Sequence, residues 1–153
     1  MDLTKQPPRS PYDELGGITF LPRSIDKMRA YIAGTVGAYN AKSGYSVELF
    51  KLFGVTADEF EQIVREHPTD EGVLNALLTR KRLSQEEIEE WNRRSINRMP
   101  ADEAGWARHW RMLEDAGYGH RRDIVTMYDR LDLDDGREVP VGGRPHPLKA
   151  ARA

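Results

Sequence analysis

Gly54 and Thr56 mark a boundary that limits how this chain can fold. Glycine follows the short apolar run Val47-Glu48-Leu49-Phe50-Lys51-Leu52-Phe53 and stops its helix. Thr56, with Glu59 three residues on, has the pattern of a capping box that starts the next helix. The same grammar recurs along the chain. Ser84 with Glu87 predicts a second capping box, and Thr69-Asp70-Glu71 starts a helix carrying Val73, Leu74, Leu77 and Leu78. Asp102-Glu103 opens another, with Trp106, Trp110 and Leu113 in register, and Gly117 ends it. Ser24 reads as the cap of a helix running to about Asn40, with Ile25, Met28, Ile32, Val36 and Tyr39 spaced three and four apart. Gly34 and Gly37 lie off that stripe and read as sites of close packing, since each costs up to ~1 kcal/mol inside a helix. A last helix carries Ile124, Met127, Tyr128 and Leu131. The expectation is an all-α chain, a single compact domain of about seven short helices.

Residues 1–22 read as an irregular segment broken by Pro7, Pro8, Pro11, Gly16-Gly17 and Pro22, with Ile18 to Leu21 as a short extended piece. Residues 23–135 form the helical domain, and residues 136–153 a loose basic tail containing glycine and proline. A chain of 153 residues suffices for one core. Without cysteine, disulfides, thiolate nucleophiles and cysteine-based zinc sites are excluded. No run of 18 apolar residues is present, and the first residues lack the apolar stretch of a signal peptide, so the cytoplasm is the default compartment.

Charge narrows the function classes. The Ser46–Glu66 stretch has the outline of a helix-turn-helix, whose second helix would enter the DNA major groove. Here that helix carries Asp58, Glu59, Glu61 and Glu66 against Arg65 alone. With a formal net charge of −2, the chain has no general attraction for phosphate. Nucleic acid is therefore disfavoured as a partner, and a membrane is not expected.

Polar residues inside apolar arcs are the candidate site. Arg29 projects between Ile25, Ile32 and Val36, where a guanidinium needs a partner. It reads either as one half of a salt bridge to Asp129, Asp132, Asp134 or Asp135, or as part of an anion site with Arg23 and Lys27 at the helix start. Those aspartates crowd a helix end whose dipole repels them, so they need a cation. Asn92 falls in the arc of Ile88, Trp91 and Met99, where it would tie down a loop or orient a ligand. His109 falls among Trp106, Met112 and Leu113. It reads as a core residue or as an acid–base group, with no partner visible nearby. Gly136 fails as a calcium-loop glycine because Leu131 and Leu133 occupy the first and third ligand positions. No metal or cofactor site is implied.

Three stretches carry a resemblance: Asp26-Lys27-Met28-Arg29 followed by Gly34, Glu87-Ile88-Glu89-Glu90-Trp91-Asn92, and Thr126 to Arg137. Together they make the chain similar to a bacterial family of uncharacterised proteins, the domain of unknown function numbered five thousand and sixty-nine. The resemblance covers about residues 20–140 and implies no activity. It does imply that the Lys27-Met28-Arg29, Trp91-Asn92 and Asp135-Gly136-Arg137 stretches belong to a shared design, and the residues themselves give Arg23, Lys27, Arg29, Trp91, Asn92, His109, Asp132 and Asp135 as the candidate ligand-binding or shared-design set. The leading expectation is a helical binding or interaction module for a protein partner or a small anion. The alternative is an acid–base enzyme using Asp and His in one pocket.

Overall fold

The expected helix starts are built as the sequence spells them. Thr56 accepts from the Glu59 amide at 3.1 Å while the Glu59 carboxylate takes the Thr56 amide at 3.0 Å. Ser84 and Glu87 repeat this exchange, each bond 3.1 Å. Thr69 and Asp102 cap through the amides of Gly72 and Gly105. The computed structural model describes residues 1–150. About 49% is helical, in α1 (Leu21–Ile32), α2 (Ser46–Phe53), α3 (Ala57–Glu66), α4 (Asp70–Arg80), α5 (Gln85–Ile96), α6 (Glu103–Asp115) and α7 (Met127–Asp134). No helix among the described residues is long and apolar enough to cross a membrane.

The chain divides into two compact units, Met1–Ile88 and Glu89–Ala153, with the boundary inside α5. In the first unit the Gly16-Gly17 pair is a turn. Both glycines have positive φ, 59° and 78°, the geometry a tight two-residue hairpin demands. It joins β1 (Glu14–Leu15) to β2 (Ile18–Thr19), antiparallel with Leu15 opposite Ile18. Helix α1 packs on α3 and β1, and α3 packs on α2 and α4. The Phe50 and Phe60 rings meet at 4.7 Å where α2 touches α3. In the second unit α6 packs on α7. Leu113, Ile124, Leu133 and Val139 form a core cluster there, with Trp110 and Tyr118 against it.

Three helix boundaries differ from expectation. Helix α1 begins at Leu21, with Pro22 in its first turn, where a fixed φ is favourable. Ser24 sits inside the helix, and its buried hydroxyl meets that of Ser46 at 2.8 Å. The helix ends at Ile32, not near Asn40, because Gly34 adopts φ +75°. The Gly34 amide then bonds Tyr31 O and the Thr35 amide bonds Ala30 O, the paired 5→2 and 6→1 closure of a Schellman motif. Gly34 is therefore a helix stop and not a packing site. The same pair of bonds closes α2, α6 and α7 at Gly54, Gly117 and Gly136. Ile124 precedes α7, whose cap is Thr126.

Of the three tryptophans on apolar stripes, only Trp91 is fully buried, at 1% exposure. Helix α6 buries only His109 and Leu113, so Trp106 and Trp110 lie on the flanks of its inward face. They are partly exposed and stack on each other, centroids 5.4 Å apart. The segment after Gly136 has no helix or strand among its described residues, yet it is held. The Asp123 carboxylate accepts the Gly142 amide at 2.8 Å. Asp129 accepts the Arg144 amide at 3.1 Å and Lys149 Nζ at 2.8 Å. The Asn97 side chain donates to Leu148 O through Nδ2 and accepts from the Ala150 amide through Oδ1.

Trp91→Ala should destabilise by ~3–5 kcal/mol, the usual cost of emptying a buried aromatic site. Trp106→Ala should cost roughly half of that or less, because solvent already reaches the ring. Urea denaturation of the two variants, compared at equal m-value, checks the order.

Candidate functional site

Helix α1 places three charged side chains out of solvent: Arg23, Asp26 and Lys27, at 3%, 3% and 7% exposure. Arg23 Nη1 donates to Arg9 O at 3.2 Å, and its guanidinium lies 5.8 Å from the Tyr39 ring. Lys27 Nζ lies 5.4 Å from the Phe20 ring centre. Asp26 is clasped by Arg9, through the backbone amide at 2.9 Å and the side-chain Nε and Nη2 at 3.0 Å each. Arg9 reaches on to Asp70 at 2.7 and 3.2 Å, which holds that carboxyl below the usual range. Sequence reasoning missed Arg9 because it sits between prolines in a segment with no periodicity.

Arg29 departs from expectation. It is half-buried, and its Nη2 donates to His67 O at 3.2 Å, at the C-cap of α3. With α1 ending at Ile32, Val36 no longer belongs to the helix stripe, so Arg29 sits in the last turn at the edge of the buried face. Its donation satisfies a carbonyl at a helix end, a normal place for a cation. The α7 aspartates draw cations from their own unit. Arg137 Nη1 lies 3.1 Å from Asp135 and 3.5 Å from Asp132. Lys149 pairs with the buried Asp129. Asn92, on α5, is 7% exposed. Among the described residues no group of three His, Asp or Glu side chains is placed to hold a metal ion.

His109 is the predicted residue that leads to a cavity. It is 1% exposed on α6. Its Nε2 lies 2.7 Å from Ile124 O, which can only accept, so Nε2 carries the proton. Nδ1 is then a bare acceptor and takes a hydrogen bond from Arg130 Nη1 at 2.8 Å. Burial, with the neighbouring Arg130 charge, holds the imidazole pKa below its ordinary value. The ring is thus neutral in one tautomer, with both nitrogens engaged.

Arg130, on α7, is half-buried and has no carboxylate within ion-pair distance among the described residues. Its pKa is lowered by burial; Asp134 opposes that shift and Arg98 adds to it. Arg130 lines a cavity of about 310 Å³ with Arg98, Arg108 and His109. Met99, Pro100 and Asp102 from the loop before α6, with Met112 and Met127, complete most of its wall. The loop is fixed to α7 by the Met127 amide donating to Arg98 O at 2.9 Å. Arg108 forms no hydrogen bond or ion pair among the described residues. The Asp102 carboxylate, the one acid on the wall, is already engaged as the cap of α6. Asn92, Asp132 and Asp135 do not line this cavity. The result is a cationic recess in which no acid pairs with Arg130 directly, and Asp134 acts on it only from beyond ion-pair distance.

Residues 5–137 match the family model described as Domain of unknown function (DUF5069), and the chain belongs to that family. Among curated proteins no relative matches it.

The His109 ring has a testable signature. The unfolded chain protonates this histidine below about pH 6.5, whereas the folded chain resists protonation until lower pH. Its contribution to stability is therefore complete above that pH and is lost as pH falls from there towards the lowered folded value. Nitrogen-15 spectra at pH 6.5 should show His109 as the neutral Nε2–H tautomer. His109→Gln should make the fall in thermal midpoint below pH 6.5 shallower. A doubly protonated ring at pH 6.5 would contradict the assignment.

Proposed function

We propose that this protein is a non-catalytic helical module that binds a small anion in the cavity of Arg98, Arg108 and Arg130. The observation that carries the reading is Arg130. It is a half-buried guanidinium hydrogen-bonded to a neutral imidazole, with no carboxylate in ion-pair distance among the described residues. A cation withdrawn from water without a counter-ion is costly, and an anion from solution would relieve that cost. Arg98 and Arg108 add positive charge at the same recess. The guanidinium fork favours planar or tetrahedral oxyanions through charge-assisted bonds.

The alternative of acid–base catalysis draws less support. His109 has both ring nitrogens occupied. Asp132 and Asp135 face Arg137 and do not line the cavity with His109. Duplex DNA is a weaker candidate still. The α3 acids keep phosphate away, and Asp58, Glu59 and Glu61 already engage Lys42, Arg80 and Arg65.

Titration calorimetry with acetate and inorganic phosphate at low ionic strength tests the proposal. At least one of the two should bind saturably. Arg130→Met should weaken that binding about 10- to 100-fold, the worth of a charge-assisted hydrogen bond of ~1.5–3 kcal/mol. Absence of saturable binding by either anion, or binding indifferent to Arg130→Met, would refute it.

A further inference from the structure

We infer that the anion this cavity selects is a monocarboxylate carrying an unbranched apolar chain. The inference rests on the anion-binding reading above and specifies its ligand. The apolar part of the wall points to it. Met99 and Met112 are 47% and 51% exposed, and they are two of the five large apolar side chains that stand exposed among the described residues. Both lie on this one cavity, with Met127 as a third methionine. Exposed apolar side chains gathered beside cations mark a site for a ligand that is charged at one end and apolar along its body. Methionine suits a flexible chain because its own side chain adapts to it.

A second cavity fixes where that chain runs. It measures about 280 Å³ and shares Arg130 and Met112 with the first. Leu113, Ala116 and Leu131 lie on its wall. A carboxylate held at Arg130 can therefore send its chain across Met112 and along the α6–α7 groove towards Leu113 and Leu131. Asp115 and Asp134 stand on the same second cavity. They repel a second negative charge there, which disfavours dicarboxylates. Phosphate would engage the arginines but leave the methionine wall and the second cavity unused.

The full chain is titrated by calorimetry with acetate, butanoate, hexanoate, octanoate, octanedioate and inorganic phosphate. Affinity should rise about fourfold per added methylene over the first members of the series. Octanoate should bind at least tenfold more tightly than octanedioate or phosphate. Met112→Gln changes a half-exposed side chain, so the fold tolerates it; it should flatten the dependence on chain length, weakening octanoate more than acetate. Arg130→Met should weaken every member. If phosphate matches octanoate and chain length has no effect, the inference is overturned and the anion-binding reading stands. If octanoate binds equally well to both variants, its site lies elsewhere and the inference is again overturned. If no anion binds the unmodified chain, both readings fall together.

Discussion

Helices this short cannot stand alone, and their ends govern the rest of the structure. The seven run from 8 to 13 residues. Nucleating such a helix is unfavourable, and each leaves four amides and four carbonyls without partners inside it. Short helices bring a larger share of these groups to their ends. The chain answers with side-chain caps at Thr56, Thr69, Ser84, Asp102 and Thr126. Each such cap is worth about 1 kcal/mol. At the other end, Gly34, Gly54, Gly117 and Gly136 turn the backbone into the left-handed region and close the last carbonyls. Two starts lack a side-chain cap: α2, at Tyr45, and α1, where the cap position is Phe20 at φ 72°. That strain is held by burial of the ring, which meets Tyr45 edge-on at 5.3 Å.

Once the helices are cut to this length, the segments between and beyond them must be fixed by other means. In the first unit Arg9 does this for the N-terminal segment, joining it to Asp26 of α1 and Asp70 of α4. The Arg9 side chain keeps 39% exposure while Asp26 keeps 4%. The pair is a one-sided burial in which the carboxylate depends on the arginine more than the reverse. In the second unit Asp123 and Asp129 hold the C-terminal segment. Arg121 grips both Asp123 oxygens at 3.0 Å and also donates to Val139 O and Pro140 O. At Gly143 a β-carbon would come within 2.3 Å of the Asp129 carboxylate, so the backbone there must be glycine to approach so closely.

These devices differ in how well a sequence displays them. Caps and stops are local, so Thr56, Ser84, Gly54 and Gly117 could be read from neighbours three residues away. Gly34 is hidden because the apolar spacing continues past it through Val36 and Tyr39, and periodicity alone cannot reveal a left-handed residue. The position of Arg29 follows from the same boundary, since its expected burial depends on a helix reaching Asn40. The need of the α7 acids for cations is legible from their place at a helix end. Arg137 stands beside them in sequence, whereas Lys149 lies 20 residues from Asp129 in a tail without pattern. The candidate cavity was the least visible feature. His109 and Arg130 stand 21 residues apart and meet only because α6 packs on α7. The signal available in advance was a lone histidine on an apolar face, and it could not say which cation the ring would hold.

The choice of histidine as the partner of Arg130 has a physical logic. A carboxylate at this position would fix the guanidinium equally well but would cancel its charge, leaving little attraction for an anion from solution. A neutral imidazole fixes it without cancelling it. The Ile124 carbonyl determines the tautomer by accepting from Nε2, and this leaves Nδ1 as an acceptor with no net charge. The arrangement is self-reinforcing. Arg130 disfavours protonation of His109, and a protonated ring could no longer accept from Arg130. Arg98 acts the other way on Arg130, since like charges at one recess raise the cost of keeping the guanidinium ionised. A bound anion would lower that cost for every arginine on the wall. The unfavourable term in the free protein thus becomes the source of affinity in the proposed complex.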